Sequence, residues 1–156
     1  MEEDEKEKLT LETAGGIDEL YDAYLKKQDV ELPPWLVENQ EKGIEIVPQE
    51  LYLYLIKKDH IISVKLGNSR GIMLYHYENG YYKPWNESDC KAYIKSFLPS
   101  KIRTSSHWEK VYKELTTDYA NTSESELNAD ENIINFQNGI LNITTGKLLP
   151  HIPDYK

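Results

Sequence analysis

The sequence predicts an α+β fold, a small helical domain with an antiparallel hairpin and a C-terminal β-meander. Apolar residues recur at helical spacing in several stretches. Asn-Gly dipeptides, the strongest short-range hairpin signal, stand at 79–80 and 138–139 between apolar runs. Of the 156 residues, 39% are hydrophobic, which suffices for a modest core. The predicted parts are an acidic disordered tail (1–16), the α+β domain (17–130) and the meander (131–156).

The chain opens with an acidic stretch, since five of its first eight residues are Asp or Glu. Such a stretch buries too little apolar surface to offset the entropy of ordering, so we expect a solvated tail. An amphipathic helix follows over residues 17–27, with an apolar stripe of Ile17, Leu20, Tyr21, Tyr24 and Leu25. This helix either packs on its own domain or docks on a partner.

The middle of the chain predicts a helix followed by a small antiparallel sheet. Pro33-Pro34 breaks the chain, Trp35 follows as an apolar anchor, and Pro48 suits a helix start. Three strands come next, 61–66, 72–77 and 81–85, with Asn79-Gly80 selecting a tight hairpin. The order of helix, hairpin and further helices suggests a winged-helix-like arrangement, in which Tyr81, Tyr82 and Lys83 would form the wing.

Two more helices complete the predicted core. Asn86 caps the first, which ends before Pro99 and places Lys91 and Lys95 one turn apart, off its apolar stripe. The second opens at Ser106 with a capping-box pattern ending in Glu109. Its expected buried residues are Trp108, Val111, Tyr112, Leu115 and Tyr119. The polar stretch 121–128 predicts a loop or a short surface helix.

Three brief strands form the predicted meander. Asn138-Gly139 predicts a tight primed turn between the first two, and Thr145-Gly146 a second turn. Both glycines would adopt positive φ there, as glycine does without a Cβ clash.

Charge is distributed unevenly. The net charge is −9, with balances of −9 in 1–60, +3 in 61–119 and −3 in 120–156. A basic middle between acidic ends is compatible with a local phosphate-binding face. One cysteine excludes an internal disulfide, and no apolar leader or long apolar run is present. A reducing, cytoplasmic location is therefore expected, without a membrane.

The sequence offers little catalytic chemistry. No Gly-x-x-x-x-Gly-Lys-Ser/Thr phosphate loop occurs, so the nucleotide cradle of a nucleoside triphosphatase is missing. The four histidines are scattered without metal-ligand spacing. We expect no catalytic residues, no cofactor and no metal site.

Cations interleaved with aromatic residues form the most suggestive pattern, because single-stranded nucleic acid is held by cations on phosphates and rings on bases. The alternative is that the rings belong to the core and the lysines to a solvated face. The candidate nucleic-acid-binding residues are Lys65, Arg70, Tyr81, Tyr82, Lys83, Lys91, Lys95, Lys101, Arg103, Lys110 and Lys113.

A family resemblance rests on three stretches, which together fall between Pro33 and Lys156. They are NIINFQNGILNITTGKLLPHIPDY, PPWLVENQEKGIEIVPQELYLYLIKKDHII and LYHYENGYYKP. All three resemble the helicase-preceding N-terminal domain of phage and plasmid primase-helicases of the poxvirus type. In that family the first stretch sits just before the superfamily-three helicase ATPase.

The resemblance implies a non-catalytic region of a DNA replication protein, which links upstream parts to a hexameric ATPase motor. Its implied partners are DNA, bound weakly and with single strands as one candidate form, the ATPase domain of the same polypeptide, and further copies in a hexamer. The helix over 17–27 would then dock on an upstream primase domain. The alternative is a stand-alone protein-binding adaptor that uses its acidic N-terminus and that helix.

Overall fold

A computed structural model describes residues 7–67, 71–118, 122–127 and 129–153. The chain forms two compact units, Met1–Leu53 with Cys90–Tyr112, and Tyr54–Asp89 with Lys113–Lys156. The grouping differs from the predicted boundaries after residues 16 and 130, because segments distant in sequence share a unit. Helices and sheets are both present, with an antiparallel hairpin and a C-terminal antiparallel sheet, so the α+β prediction is confirmed.

The bounds of the elements are as follows. The helices are α1 (Leu11–Ala14), α2 (Ile17–Leu25), α3 (Pro48–Lys58), α4 (Glu87–Lys95) and α5 (Ser105–Lys113). The strands are β1 (Leu36–Asn39), β2 (Gly43–Ile46), β3 (Ile61–Lys65), β4 (Ile72–Glu78), β5 (Tyr81–Trp85), β6 (Thr122–Ser123), β7 (Ile133–Phe136), β8 (Gly139–Asn142) and β9 (Lys147–Leu149). A π-helical turn covers Glu114–Asp118, and a 3-10 turn covers Glu124–Glu126.

Part of the predicted disordered tail has regular structure. Thr10 caps α1 in a reciprocal capping box with Thr13. Leu9 is tied to the loop after α2, since its N–H donates to the Asp29 carbonyl at 3.1 Å and its carbonyl accepts from the Glu31 N–H at 2.8 Å. Residues 1–6 lie outside the described range. The short helix is capped by a local Thr-x-x-Thr pattern, which a prediction based on the acidic composition of the segment overlooks.

The core of the first unit is centred on Trp35, which is fully buried. Its indole Nε1–H donates to the Phe97 carbonyl at 2.8 Å, and the two rings meet edge to face. Around it, the unit buries Leu20, Leu51, Ile94, Leu98 and Val111. The predicted apolar anchor thus lies in this core.

Helix α2 confirms the amphipathic helix predicted over 17–27, although it ends at Leu25. Ile17, Leu20 and Tyr21 are buried in its own unit. Lys27 has a φ of 57°, a left-handed conformation that terminates the helix. Most of the apolar face of α2 is therefore buried, although Leu25 at its end is 50% exposed.

The start of α5 differs from the predicted capping box. The helix begins at Ser105, and the backbone N–H of Thr104 donates to Nδ1 of His107 at 2.9 Å. Glu109, expected to close the box on Ser106, instead pairs with Lys91 at 2.8 Å. A partner far away in sequence thus outcompetes the local pattern. Tyr119, an expected core residue, lies outside the described residues.

The second unit contains a sheet of order β5-β4-β3-β6. The predicted cap of α4 is also found here, because the Asp89 N–H donates to the Asn86 side chain at 2.8 Å. Strand β6, predicted as loop or helix, pairs in parallel with β3, with Thr122 opposite Val64. Asn79 and Gly80 have φ values of 51° and 93°, as a type I′ turn requires, so the predicted tight hairpin is confirmed.

The C-terminal meander exists as predicted, with strand order β7-β8-β9, but its first turn is displaced by one residue. Phe136 pairs with Gly139, so the loop is Gln137-Asn138, and Asn138 has no positive φ. The predicted primed turn at Asn138-Gly139 is therefore wrong. Gly139 is required for another reason, since a Cβ there would lie 2.5 Å from the Leu149 carbonyl oxygen of β9.

The second predicted turn, at Thr145-Gly146, is confirmed. The Asn142 side chain accepts from the backbone N–H groups of Thr144 and Thr145 at 3.0 and 3.1 Å, and Gly146 has a φ of 68°. In the described part of the chain, no helix combines the length and apolarity needed to cross a membrane.

Candidate functional site

Lys91 is a predicted phosphate ligand, but its side chain already has partners within the first unit. Its ammonium lies 2.8 Å from the Glu109 carboxylate and 4.9 Å from the Tyr112 ring centroid, and 19% of its side chain is exposed. Lys91 thus lies off the buried stripe of α4, which is formed by Cys90 and Ile94, but it is covered by a neighbouring helix rather than solvated. The cause is α5, whose aromatic residues cover the side of α4 next to its apolar stripe.

The other candidate cations of α4 and the following loop also have partners. The Lys95 ammonium stands 4.3 Å from the Trp108 ring centroid, at the distance of a cation–π contact. Arg103 donates to the Lys95 carbonyl at 2.9 Å. Lys101 pairs with Asp22 at 2.6 Å, and this hydrogen bond raises the Lys101 pKa. These cations are largely compensated by their surroundings.

In the second unit, the wing predicted at 81–83 divides into three different environments. Lys83 pairs with Glu78 at 3.3 Å, which raises its pKa, and its ammonium lies 5.3 Å from the Tyr81 ring centroid. The Tyr82 hydroxyl donates to the Pro153 carbonyl at 2.7 Å, and its ring contacts Tyr77 edge to face. The Tyr81 side chain is 47% exposed. Of the two candidate tyrosines, Tyr81 is the one that presents its ring.

Three candidate lysines are exposed and uncompensated. Within the described ranges, no ion-pair partner lies against Lys65 at the end of β3, Lys110 on α5 or Lys113 at the end of α5. Arg70 lies outside the described residues. The predicted set therefore contains cations held by acidic or aromatic neighbours and cations open to an external phosphate.

Side chains that could bind a metal ion do not cluster in the described ranges. No group of three His, Cys, Asp or Glu side chains there is arranged to hold a metal ion. Cys90 is buried, which raises its pKa to about 12 and keeps the thiol protonated. A protonated, buried thiol is not a nucleophile.

One face of the meander exposes apolar side chains. Ile134, Leu141 and Leu148 stand directly opposite one another across the three strands, so their side chains share a face. Ile134 is 46% and Leu148 52% exposed, whereas Ile140, on the opposite face, is buried. We call the row of Ile134, Leu141 and Leu148 the apolar row.

An open groove of about 910 Å³ lies between the β4–β5 turn and the β7–β8 turn. The half-exposed rings of Tyr81 and Phe136 are at its sides, and we call it the two-turn groove. Its lining residues are Asn79, Gly80, Tyr81, Asn135, Phe136, Gln137 and His151. Sequence reasoning found Tyr81 but missed the rest. Both Asn-Gly signals pointed to these turns, but nothing local shows that the turns meet.

The comparison with protein families covers almost the whole chain. A family model described as D5 N terminal like matches residues 3–156. The chain belongs to the D5 N terminal like family. No curated protein matches it significantly.

Membership of the D5 N terminal like family confirms the resemblance drawn from the three sequence stretches. Domains of this family form the N-terminal, non-catalytic region of primase-helicase proteins and belong to the context of DNA replication. The apolar row and the two-turn groove are thus surfaces of a D5 N terminal like domain.

Proposed function

We propose that this domain links the upstream part of a phage or plasmid primase-helicase to the hexameric superfamily-three ATPase motor of the same polypeptide, and that it contacts DNA weakly. The observation that supports the link is the apolar row. Contiguous exposed apolar side chains on a soluble domain mark a surface that another protein covers. Ile134 and Leu148, both about half exposed, provide such a surface.

The apolar row suits a protein partner better than DNA. The three meander strands carry one charged residue, Lys147, so they offer little attraction to phosphates. An uncharged sheet face typically packs on apolar side chains, and the core of an interface is depleted in charge. In a primase-helicase, the ATPase domain of the same polypeptide would cover the apolar row.

The DNA contact rests on different residues. Lys65, Lys110 and Lys113 are the candidate cations whose ammonium groups have no ion pair, ring contact or hydrogen bond in the described ranges. Lys83, Lys91 and Lys101 would bind a phosphate only by giving up a carboxylate partner. Each phosphate contact that Lys65, Lys110 or Lys113 makes with a single strand should add about −0.7 to the slope of log affinity against log salt. Micromolar or weaker affinity follows from so few contacts and an acidic chain.

Helix α2 gives the adaptor alternative little support, and most of the acidic N-terminus that it also uses lies outside the described residues. Most of the apolar face of α2 is buried in its own unit. Asp18 accepts from the Ser100 N–H at 2.7 Å, and Asp22 pairs with Lys101. Of the predicted contact surface on this helix, Leu25 remains exposed in the stripe and Glu19 in the first acidic turn, where Asp18 is exposed but already hydrogen-bonded.

Hydrogen exchange tests the link to the motor. Amides of β7 and β9 should exchange more slowly in a full-length primase-helicase carrying this domain than in the 156-residue chain. Ile134→Asp with Leu148→Asp should abolish this protection and weaken hexamer formation. Leu25→Asp is a matched control, because Leu25 is also 50% exposed but lies on α2. Equal exchange in both proteins would refute the docking surface.

Fluorescence anisotropy with a labelled oligo(dT) strand tests the DNA contact. Changing Lys65, Lys110 and Lys113 together to Glu should flatten the salt slope, because each lost phosphate contact removes about 0.7 from it. Lys26→Glu is the control, since Lys26 is an exposed lysine outside the candidate set. An unchanged slope would show that these lysines do not bind DNA.

A further inference from the structure

We propose that the two-turn groove binds an unpaired base of single-stranded DNA, stacked on Tyr81 and Phe136. This inference rests on the proposed DNA contact and extends it from phosphates to bases. It assigns a role to Phe136, Asn79 and Gln137, none of which belongs to the basic residue pattern.

The groove is preformed by hydrogen bonds between its two sides. The Asn135 side-chain amide donates to the Gly80 carbonyl at 2.9 Å, which ties the β7–β8 hairpin to the β4–β5 turn. His151 Nε2 donates to the Gln137 carbonyl at 3.2 Å. The His151 ring packs directly on Gly80, where any Cβ would collide with it. A site held open in this way loses little conformational entropy on binding.

The side chains around the groove match the chemistry of a base. Tyr81 and Phe136 are each 47% exposed, so each keeps a ring face on which a base can stack. The side-chain amides of Asn79 and Gln137 make no hydrogen bond within the described ranges. An amide has donors and an acceptor, which suit the polar edge of a base. Duplex DNA keeps its bases stacked and paired, so the groove selects unpaired ones.

The lack of permanently charged side chains in its lining distinguishes the two-turn groove from a phosphate-binding site. None of the lining residues is an Asp, Glu, Lys or Arg. Beside the groove, the Lys83 ammonium lies 5.3 Å from the Tyr81 ring centroid, and it is paired with Glu78. Binding in the groove should therefore contribute affinity without adding to the salt slope, because no counterion is released.

The test compares a labelled oligo(dT) strand with an abasic strand of equal length, by anisotropy at several salt concentrations. The 156-residue chain should bind the abasic strand more weakly. Tyr81→Ala and Phe136→Ala should each lower oligo(dT) affinity about fivefold or more and leave the salt slope unchanged. Phe136→Trp should retain binding. Ile143→Ala is the control, because Ile143 is 51% exposed in the meander but outside the groove.

The outcomes separate this inference from the proposed DNA contact. Equal affinity for the two strands, or wild-type affinity in both alanine variants, overturns base binding and leaves the phosphate contact standing. Failure to bind either strand at low salt overturns both. Thermal melting of each variant shows that it is folded, and these half-exposed side chains should cost little stability.

Discussion

Lys91→Glu tests whether the side of α4 facing α5 is packed or solvated. The sequence places Lys91 off the apolar stripe, where charge reversal should change stability by less than about 0.5 kcal/mol. In the structure, Lys91 is 19% exposed, pairs with Glu109 at 2.8 Å and lies 4.9 Å from the Tyr112 ring centroid. The two views predict different free energies of unfolding.

The magnitude follows from three losses. The ion pair contributes about 0.5 kcal/mol, a low value because Glu109 is half exposed and screened by solvent. The cation–π contact adds about 0.5–1 kcal/mol. A glutamate at position 91 would face Glu109, and like charges at this spacing cost about 0.3–0.5 kcal/mol. We therefore expect the variant to lose about 1–2 kcal/mol, or about 2–8 °C in Tm.

Urea denaturation of Lys91→Glu beside Lys110→Glu measures this difference. Lys110 is an exposed lysine on the neighbouring α5, so its reversal is the matched control. The charge swap Lys91→Glu with Glu109→Lys should recover part of the loss, with a coupling energy of about 0.5–1 kcal/mol. If Lys91→Glu and Lys110→Glu are equally stable, the packing of Lys91 against α5 is wrong.

Two further predictions concern Gly139 and His107. Gly139→Ala should destabilise the chain by about 1–3 kcal/mol in thermal or urea unfolding, because φ is +153° and the new Cβ would lie 2.5 Å from the Leu149 carbonyl. Gly146→Ala, where nothing lies within 4 Å, should cost less, and the reverse order would contradict this account of the meander. His107 has a pKa lowered by burial and by Lys110, and its Nδ1 accepts from the Thr104 N–H, so the neutral ring is the folded form. As the pH falls, the unfolded chain therefore binds this proton before the folded chain does, so the free energy of unfolding should fall below about pH 6.5. The fall should be less steep in His107→Gln, and identical pH profiles of the two proteins would exclude this role for His107.

Local sequence patterns predicted where helices and strands lie better than they predicted which segments pack against one another. The stripe of Ile17, Leu20 and Tyr21 defined α2, and Asn79-Gly80 defined a hairpin whose positive φ values both residues tolerate. At Asn138-Gly139 the same dipeptide gave the wrong turn. The space above Gly139 is filled by the carbonyl of Leu149, which belongs to another strand, and no local pattern contains that information.

Candidate site residues show the same limit. Composition identified cations and aromatic residues, but exposure depends on what packs against each one. Lys91 is held by Glu109 on another helix, and Tyr82 by Pro153 near the end of the described chain. Tyr81, the neighbour of Tyr82, points outward because side chains alternate along a strand. The two-turn groove could not be predicted, because it depends on two hairpins meeting.

The discontinuous first unit sets the order in which the protein can fold during synthesis. Trp35 finds its hydrogen-bond acceptor at Phe97, and Met1–Leu53 shares its unit with Cys90–Tyr112. The ribosome adds about 5–20 residues per second, so the roughly 60 residues from Leu53 to Tyr112 take about 3–12 s to emerge. During that interval the nascent N-terminal segment exposes an indole destined for the core. Translation that stalls before Phe97 should leave this segment bound to chaperones, and a fragment ending at Leu53 should not fold alone.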